Sequence, residues 1–109
     1  MQMELKIKEQ EQSSVGYSLN VPVVFTHGLM GELINLGYDA AKVVMESYRK
    51  LREEYSNKNM DYLQVLQLLN PSGECILEFW AISNAEVGTD TSEAEYGDYN
   101  LTFLLPSEY

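Results

Sequence analysis

The segment Asp39–Tyr55 has the hydrophobic pattern of an amphipathic helix. Seven small or apolar positions recur at spacings of three and four, as a helix lying on a sheet requires: Ala40, Val43, Val44, Ser47, Tyr48, Leu51 and Tyr55. Asp39 is a suitable N-cap because its carboxylate can accept a hydrogen bond from a first-turn N–H at the positive end of the helix dipole. The polar run at 56–59 then ends the helix.

Period-two alternation of apolar and polar residues predicts strands on both sides of this helix. The predicted strands are Glu4–Glu9, a run from Val15 through Val21–Phe25, Met60–Leu69, Cys75–Ile82 and Tyr99–Leu105. Pro22 cannot donate to a ladder, so it marks a strand start, an edge or a bulge. A short helix is compatible with Leu29–Leu36. The surrounding segment, Thr26–Gly37, contains three glycines.

The segment Met60–Leu69 fits a helix as well as a strand by periodicity alone. The turn sequence Asn70-Pro71-Ser72-Gly73 follows it and suits a type I turn, so we predict a β-hairpin. In the second hairpin strand Cys75, Leu77, Phe79 and Ala81 share one face. The fold class predicted is α+β, a single domain over residues 1–109, with a mostly antiparallel sheet of four to five strands and one main helix, about residues 39–55, on one face.

Length and composition restrict the class of protein. At 109 residues a single domain is expected, and the lone cysteine, Cys75, excludes an internal disulfide. The N-terminal residues carry charges throughout, so no secretory h-region is predicted, and no apolar run approaches the 18 residues of a membrane span. These features together predict a cytoplasmic protein that has no membrane partner.

Charge is the most unusual property of the chain. Seventeen acids against seven bases give a net charge of −10, and every Lys and Arg lies before residue 59. No direct nucleic-acid partner is therefore predicted, since phosphates are bound by neutralising them with Lys and Arg. The complementary expectation is a basic protein surface as partner. The residues predicted to bind it lie in and beside an acidic loop at 84–98: Glu86, Asp90, Glu93, Glu95, Tyr96, Asp98 and Tyr99. For Tyr96 and Tyr99, packing at the core edge is an equal alternative.

Two sequence blocks resemble a known family. Phe25-Thr26-His27-Gly28-Leu29, a following helix, and then Asp61-Tyr62-Leu63-Gln64-Val65 are similar to an uncharacterised domain-of-unknown-function family of Gram-positive bacteria and their phages. The similarity covers roughly residues 24–80, and Leu66 departs from it, because an aromatic residue is usual there. The resemblance implies the order helix, strand, hairpin and strand, and it implies no activity.

No catalytic constellation is present, and we predict that the protein is not an enzyme. The run Val21–Gly31 reads like the strand and His-Gly motif of α/β-hydrolases, but no G-x-S-x-G nucleophile elbow exists and His27 is the only histidine. One histidine cannot build a His-based metal site. Cys75 is expected to be a buried side chain that only contributes to core packing. Asp90, Glu93 and Glu95 lack the glycine and distal Glu of an EF-hand, so no metal site and no cofactor are predicted.

Three functional hypotheses remain. The first is a small acidic protein-binding module, in its sharpest form a mobile-element inhibitor that mimics nucleic acid toward a basic host protein. The second is a homo-oligomeric structural protein, a homodimer in the simplest case, that pairs an exposed strand edge with its own copy, using Leu5–Ile7 or Leu101–Leu105. The third is a small-ligand or calcium-binding module, whose melting temperature would rise on adding the ligand.

Overall fold

The computed structural model describes residues 4–8, 16–88 and 99–109 of the chain. Five strands, two α-helices and one 3-10 turn follow in order: β1 (Glu4–Ile7), β2 (Val23–Phe25), α1 (His27–Asn35), α2 (Ala40–Glu54), β3 (Leu63–Leu69), β4 (Cys75–Ser83), β5 (Leu101–Leu104) and the 3-10 turn Pro106–Glu108. The fold is therefore α+β, as the sequence predicts.

The five strands form one mixed sheet in the order β1-β3-β4-β5-β2. All neighbours are antiparallel except β2 and β5, which run parallel with Val23 opposite Leu101 and Phe25 opposite Phe103. Pro22 precedes β2 at the sheet edge, where its carbonyl accepts a bond from the Leu101 N–H at 2.9 Å and its missing donor costs nothing. The expectation of a strand continuing back through Val15–Leu19 is wrong for the described part, where Tyr17 forms an isolated bridge with Glu86 and its N–H donates to the Met60 carbonyl at 2.9 Å.

Two helices, rather than one main helix, cover the sheet. In α1 the Thr26 hydroxyl caps the first turn by accepting from the Leu29 N–H at 3.1 Å, and α2 is capped in the same way by Asp39, which accepts from the Lys42 N–H at 3.2 Å. The bounds of α2 confirm the predicted central helix. In the described residues no helix combines the length and the apolar character needed to cross a bilayer.

The hydrophobic core lies between the helices and one face of the sheet. Leu33 of α1 and Leu51 of α2 are fully buried against strand residues such as Leu66, Phe79 and Phe103. Leu66 pairs with Phe79 across the β3–β4 hairpin, so these two side chains lie on the same face of the sheet. The opposite sheet face carries Trp80, whose ring centroid lies 5.5 Å from that of Tyr109, at the end of the 3-10 turn.

The β3–β4 hairpin confirms the strand prediction for Met60–Leu69. It contradicts the prediction made for one side chain, that of Cys75. The Gly73 N–H donates to the Asn70 carbonyl at 2.9 Å, which closes the predicted turn. A register shift between Leu68 and Leu69 sets Leu69 opposite Cys75 and interrupts the alternation at the start of β4. Cys75 is consequently exposed, and the prediction that it is buried is wrong.

The exposure of Cys75 has a direct chemical consequence. We expect the native protein to react with one equivalent of a thiol reagent in buffer without denaturant, because no packed side chain screens the thiol. The measurement is the labelled fraction by intact mass, with urea-unfolded protein as the reference for complete reaction. A thiol that labels only after unfolding would contradict the register at this end of the hairpin.

Candidate functional site

The structure describes two of the seven residues predicted to bind a partner. Glu86 is exposed, and Tyr99 is half-buried just before β5. The other five lie outside the described residues: Asp90, Glu93, Glu95, Tyr96 and Asp98. The geometry of the predicted site is therefore described only where the acidic segment leaves and rejoins the sheet.

The two ends of the acidic segment are held together at the sheet. The Asn100 N–H donates to the Asn84 side-chain oxygen at 2.8 Å, and the Asn84 N–H donates to the Asn100 carbonyl at 3.4 Å. Beyond this pair, the Val87 N–H donates to the Gly16 carbonyl at 2.8 Å. These bonds give the backbone beside Glu86 fixed partners while its side chain faces solvent, so the start of the segment is positioned by the fold.

Of the other described carboxylates after residue 58, Asp61 lies just before β3, at the end of the sheet where β4 ends and Glu86 follows, whereas the remaining three lie elsewhere. Glu74 lies in the β3–β4 turn, at the opposite end of β4 from Glu86. Glu78 points from the middle of β4 toward Lys8, at 3.9 Å, and Glu108 bonds to Thr26 at 2.6 Å. In the part of the chain that the structure describes, negative charge is thus spread along the second half instead of forming one cluster.

Arg49 of α2 and Lys58 just after it form ion pairs with glutamates of the helix. The Arg49 guanidinium contacts Glu46 at 2.7 Å and Glu53 at 2.6 Å, and Lys58 contacts Glu54 at 2.7 Å. The hydrogen bond and the charge of Arg49 hold the pKa of the Glu46 carboxyl below its usual range. The charges of Arg49 and Lys58 are thus balanced in part by carboxylates of the same helix.

The charge of the chain therefore divides unevenly between its two parts. Residues 1–58 carry eight acids and seven bases, a net charge of −1, whereas residues 59–109 carry nine acids and no base, a net charge of −9. The ion pair of Lys8 with Glu78 joins the two parts, and at 3.9 Å with both side chains well exposed it is weak. The second part keeps an excess of negative charge.

A second candidate surface, which sequence reasoning missed, is an open groove beside β1. The groove has a volume of about 740 Å³ and lies between the strand and the last turns of α2. Four lysines and three glutamates line it, together with Leu5, Ile7, Tyr55 and Leu69: Lys6, Lys8, Lys50, Lys58, Glu4, Glu53 and Glu54. Its local charge is thus +1 in a chain of net charge −10.

His27 is the first residue of α1, exposed, beside the Thr26 cap. Within the described ranges no three of the His, Cys, Asp and Glu side chains are grouped so that they could hold a metal ion. The weighed calcium ligands Asp90, Glu93 and Glu95 lie outside those ranges.

One carboxylate is held by the fold in a way that predicts a pH effect. Hydrogen bonds from the Thr26 hydroxyl and from the Leu105 N–H, the latter at 2.9 Å, hold the pKa of the Glu108 carboxyl below its usual range. A depressed folded-state pKa contributes stability above the unfolded pKa of about 4.3, and this contribution is lost as pH falls through the folded value. The contribution ties the 3-10 turn to the start of α1.

We therefore expect Glu108→Gln to lose less stability than the wild-type chain between about pH 5 and pH 3. The measurement is urea unfolding at each pH. Glu74→Gln is the matched control, since it removes one exposed carboxylate from a turn at which no Thr–Glu bond is formed. Parallel pH profiles for Glu108→Gln and the wild type would contradict the bond between the turn and the helix cap.

Comparison with protein-family models, with curated proteins and with solved structures finds no match to this chain. The resemblance to the Gram-positive and phage family is untested by these comparisons and stays a prediction. Function must accordingly be argued from the charges and surfaces described above.

Proposed function

We propose that this chain is a non-catalytic protein-binding module whose acidic second part docks on a basic protein surface. The observation that carries the proposal is the division of charge, −1 over residues 1–58 and −9 over residues 59–109. Complementary potentials steer association and select partners, so an uncompensated negative part favours an electropositive partner over a neutral one.

The contacts of α2 support the proposal. Arg49 and the following Lys58 each form an ion pair with a glutamate of the helix, at 2.6 and 2.7 Å, so part of the positive charge of the chain is already balanced within residues 1–58. Glu86 is presented from a backbone whose neighbours are hydrogen-bonded to Gly16 and Ser18. A carboxylate on a fixed backbone loses less conformational entropy when it meets a cation, which favours its use in binding.

The finer form of the proposal is mimicry of nucleic acid. Carboxylates on a folded surface can occupy phosphate positions in a basic groove, and the chain itself has no basic residue after Lys58 with which to bind phosphate. A mobile-element inhibitor of a nucleic-acid-binding host protein, acting in the cytoplasm, would use such a surface. The spread of the described carboxylates over both ends of β4 suits an extended groove better than a single pocket.

The proposal is tested by immobilising the full chain and capturing proteins from a bacterial lysate at low salt. We expect basic proteins to be retained and to elute as sodium chloride is raised, because screening weakens exposed charge pairs. Glu86→Lys should reduce the retention of the same proteins. Glu74→Lys is its matched control, since it changes the net charge equally at an exposed carboxylate on the opposite end of β4.

Three outcomes would contradict docking through the acidic segment. Retention indifferent to salt would remove the electrostatic basis, and equal effects of the two reversals would assign binding to overall charge. The absence of any retained basic protein would remove the function itself. For the finer proposal, duplex DNA should release the captured protein competitively, whereas simultaneous binding of DNA would exclude mimicry.

A further inference from the structure

The open edge of β1 points to a second interface that does not depend on the acidic segment. The strand stands at the end of the sheet and pairs with β3 on one side only, among the residues that the structure describes. The Lys8 N–H donates to the Val65 carbonyl at 2.9 Å. In an antiparallel strand, the N–H and C=O groups of one residue point to the same neighbouring strand, and those of the next residue point to the other side. The backbone groups of Glu4, Lys6 and Lys8 therefore point to β3. The N–H and C=O groups of Leu5 and Ile7 then point to the free edge.

The side chains of β1 are complementary to a second, antiparallel copy of the same strand. With the two-fold axis at Lys6, Leu5 stands opposite Ile7 of the second copy, and these two residues are the ones whose backbone groups are free. Glu4 stands opposite Lys8 of the second copy on the helix-free face. The register thus forms two apolar pairs and two opposite-charge pairs, which are the cross-strand pairs that stabilise antiparallel sheets.

The groove beside β1 gives the second copy room and reduces charge repulsion. Two chains of net charge −10 repel each other, and the groove is a region of local charge +1. A smaller cavity of about 270 Å³ continues the same groove along α2. It is lined by Glu4, Leu5, Glu46, Arg49 and Lys50. The apolar face of an added strand would enter this groove beside the partly buried Ile7.

We propose that two copies of this chain dimerise through antiparallel pairing of β1 with β1, which joins their sheets into one of ten strands. One feature opposes this register, since Lys6 faces Lys6 of the second copy at the axis. On each strand Lys6 lies between Glu4 and Lys8 on the same face, so Glu4 offsets only part of the repulsion. Edge lysines commonly serve to prevent such pairing, so a chain that remains monomeric would assign that guarding role to Lys6 and Lys8.

Sedimentation equilibrium of the full chain between about 1 μM and 1 mM tests the proposal. We expect a dimer mass at the upper concentrations, with Glu4→Lys weakening the dimer at least about tenfold because it sets two like-charge pairs across the seam. The double variant Glu4→Lys/Lys8→Glu exchanges the two signs and should restore dimerisation. Lys6→Gln should strengthen the dimer, since it removes the repulsion at the axis.

Amide hydrogen exchange of the wild-type chain provides a readout that needs no variant. The Leu5 and Ile7 amides should exchange quickly at low concentration and become protected at high concentration, whereas the Lys6 amide, bonded to β3, should be protected at both. A monomer mass up to 1 mM, a dimer unaffected by Glu4→Lys, or failure of the double variant to recover would overturn the proposal. None of these outcomes alters the salt-dependent capture expected of the acidic segment.

Discussion

Replacing Phe79 by alanine is expected to lower the free energy of unfolding by about 3–5 kcal/mol. Phe79 is fully buried at the centre of β4, where its ring lies 6.3 Å from that of Phe103 and beneath both helices. The loss combines the transfer free energy of the ring with a cavity that the surrounding strands cannot close. Since small domains are stable by only about 5–15 kcal/mol, the variant should be close to unfolding at room temperature.

Met45→Ala is the control for this prediction, because it also truncates a large apolar side chain but at a position that is 55% exposed on α2. Its effect should stay within about 0.5 kcal/mol. Urea unfolding followed by circular dichroism measures both variants. Equal losses for the two would mean that the core does not lie between the helices and this face of the sheet.

The second large effect is expected at a buried polar pair that links α2 to β3. Gln64 is fully buried, its side-chain oxygen accepts from the Tyr55 hydroxyl at 2.6 Å, and its amide nitrogen donates to the Asp61 carbonyl at 3.3 Å. Tyr55→Phe removes a donor from an oxygen that water does not reach, so a loss of about 1–3 kcal/mol is expected. Chemical unfolding of the variant measures it.

A double-mutant cycle separates this bond from general packing. Gln64→Leu combined with Tyr55→Phe replaces both partners by apolar groups, so the double variant should lose less than the sum of the two single losses, by about 0.5–3 kcal/mol. Strict additivity would contradict a direct bond between the two side chains.

The Tyr55 hydroxyl also predicts an alkaline effect. Burial raises the pKa of this hydroxyl, with a further contribution from the neighbouring Glu54. A raised folded-state pKa gives stability that is present below the unfolded value of about 10 and is lost as pH rises through the folded value. Wild-type protein should accordingly lose stability more steeply than Tyr55→Phe above about pH 10.

Local sequence signals were sufficient for the elements whose partners are near in the chain. The Asp39 cap and the three-and-four spacing of α2 lie within one segment, as do the two strands of the hairpin and its turn. The helix α1 was a weaker prediction because Gly28 and Gly31 lower helix propensity. In the structure, a Cβ at position 28 would lie 2.6 Å from the Glu108 carboxylate, so glycine at this position leaves room for that side chain.

The features that the sequence could not supply depend on residues far apart in the chain. The parallel pairing of β2 with β5 joins residues about eighty positions apart, and no local pattern specifies strand order or direction. It also corrects the idea that Leu101–Leu105 offers a free edge, because β5 is paired on both sides. The groove escaped notice for the same reason, since its lysines come from residues 6–8 and 50–58.

The predicted partner-binding residues illustrate a different limit. A count of acids along the chain locates an excess of charge but not its arrangement, and the described carboxylates turn out to be distributed over both ends of β4. What the structure adds is the placement of one counter-ion, because Arg49 of α2 contacts Glu53 at 2.6 Å and Glu46 at 2.7 Å. That result could not follow from the charge count alone.

The most direct test of the charge-driven account is the affinity for the captured basic protein, purified and titrated at several salt concentrations from about 50 to 300 mM. The account predicts an affinity that falls steeply with salt and a shallower dependence for Glu86→Lys than for Glu74→Lys, since screening acts on the charge pairs that form at the interface. An affinity that is constant across the series, or identical slopes for the two variants, would contradict it.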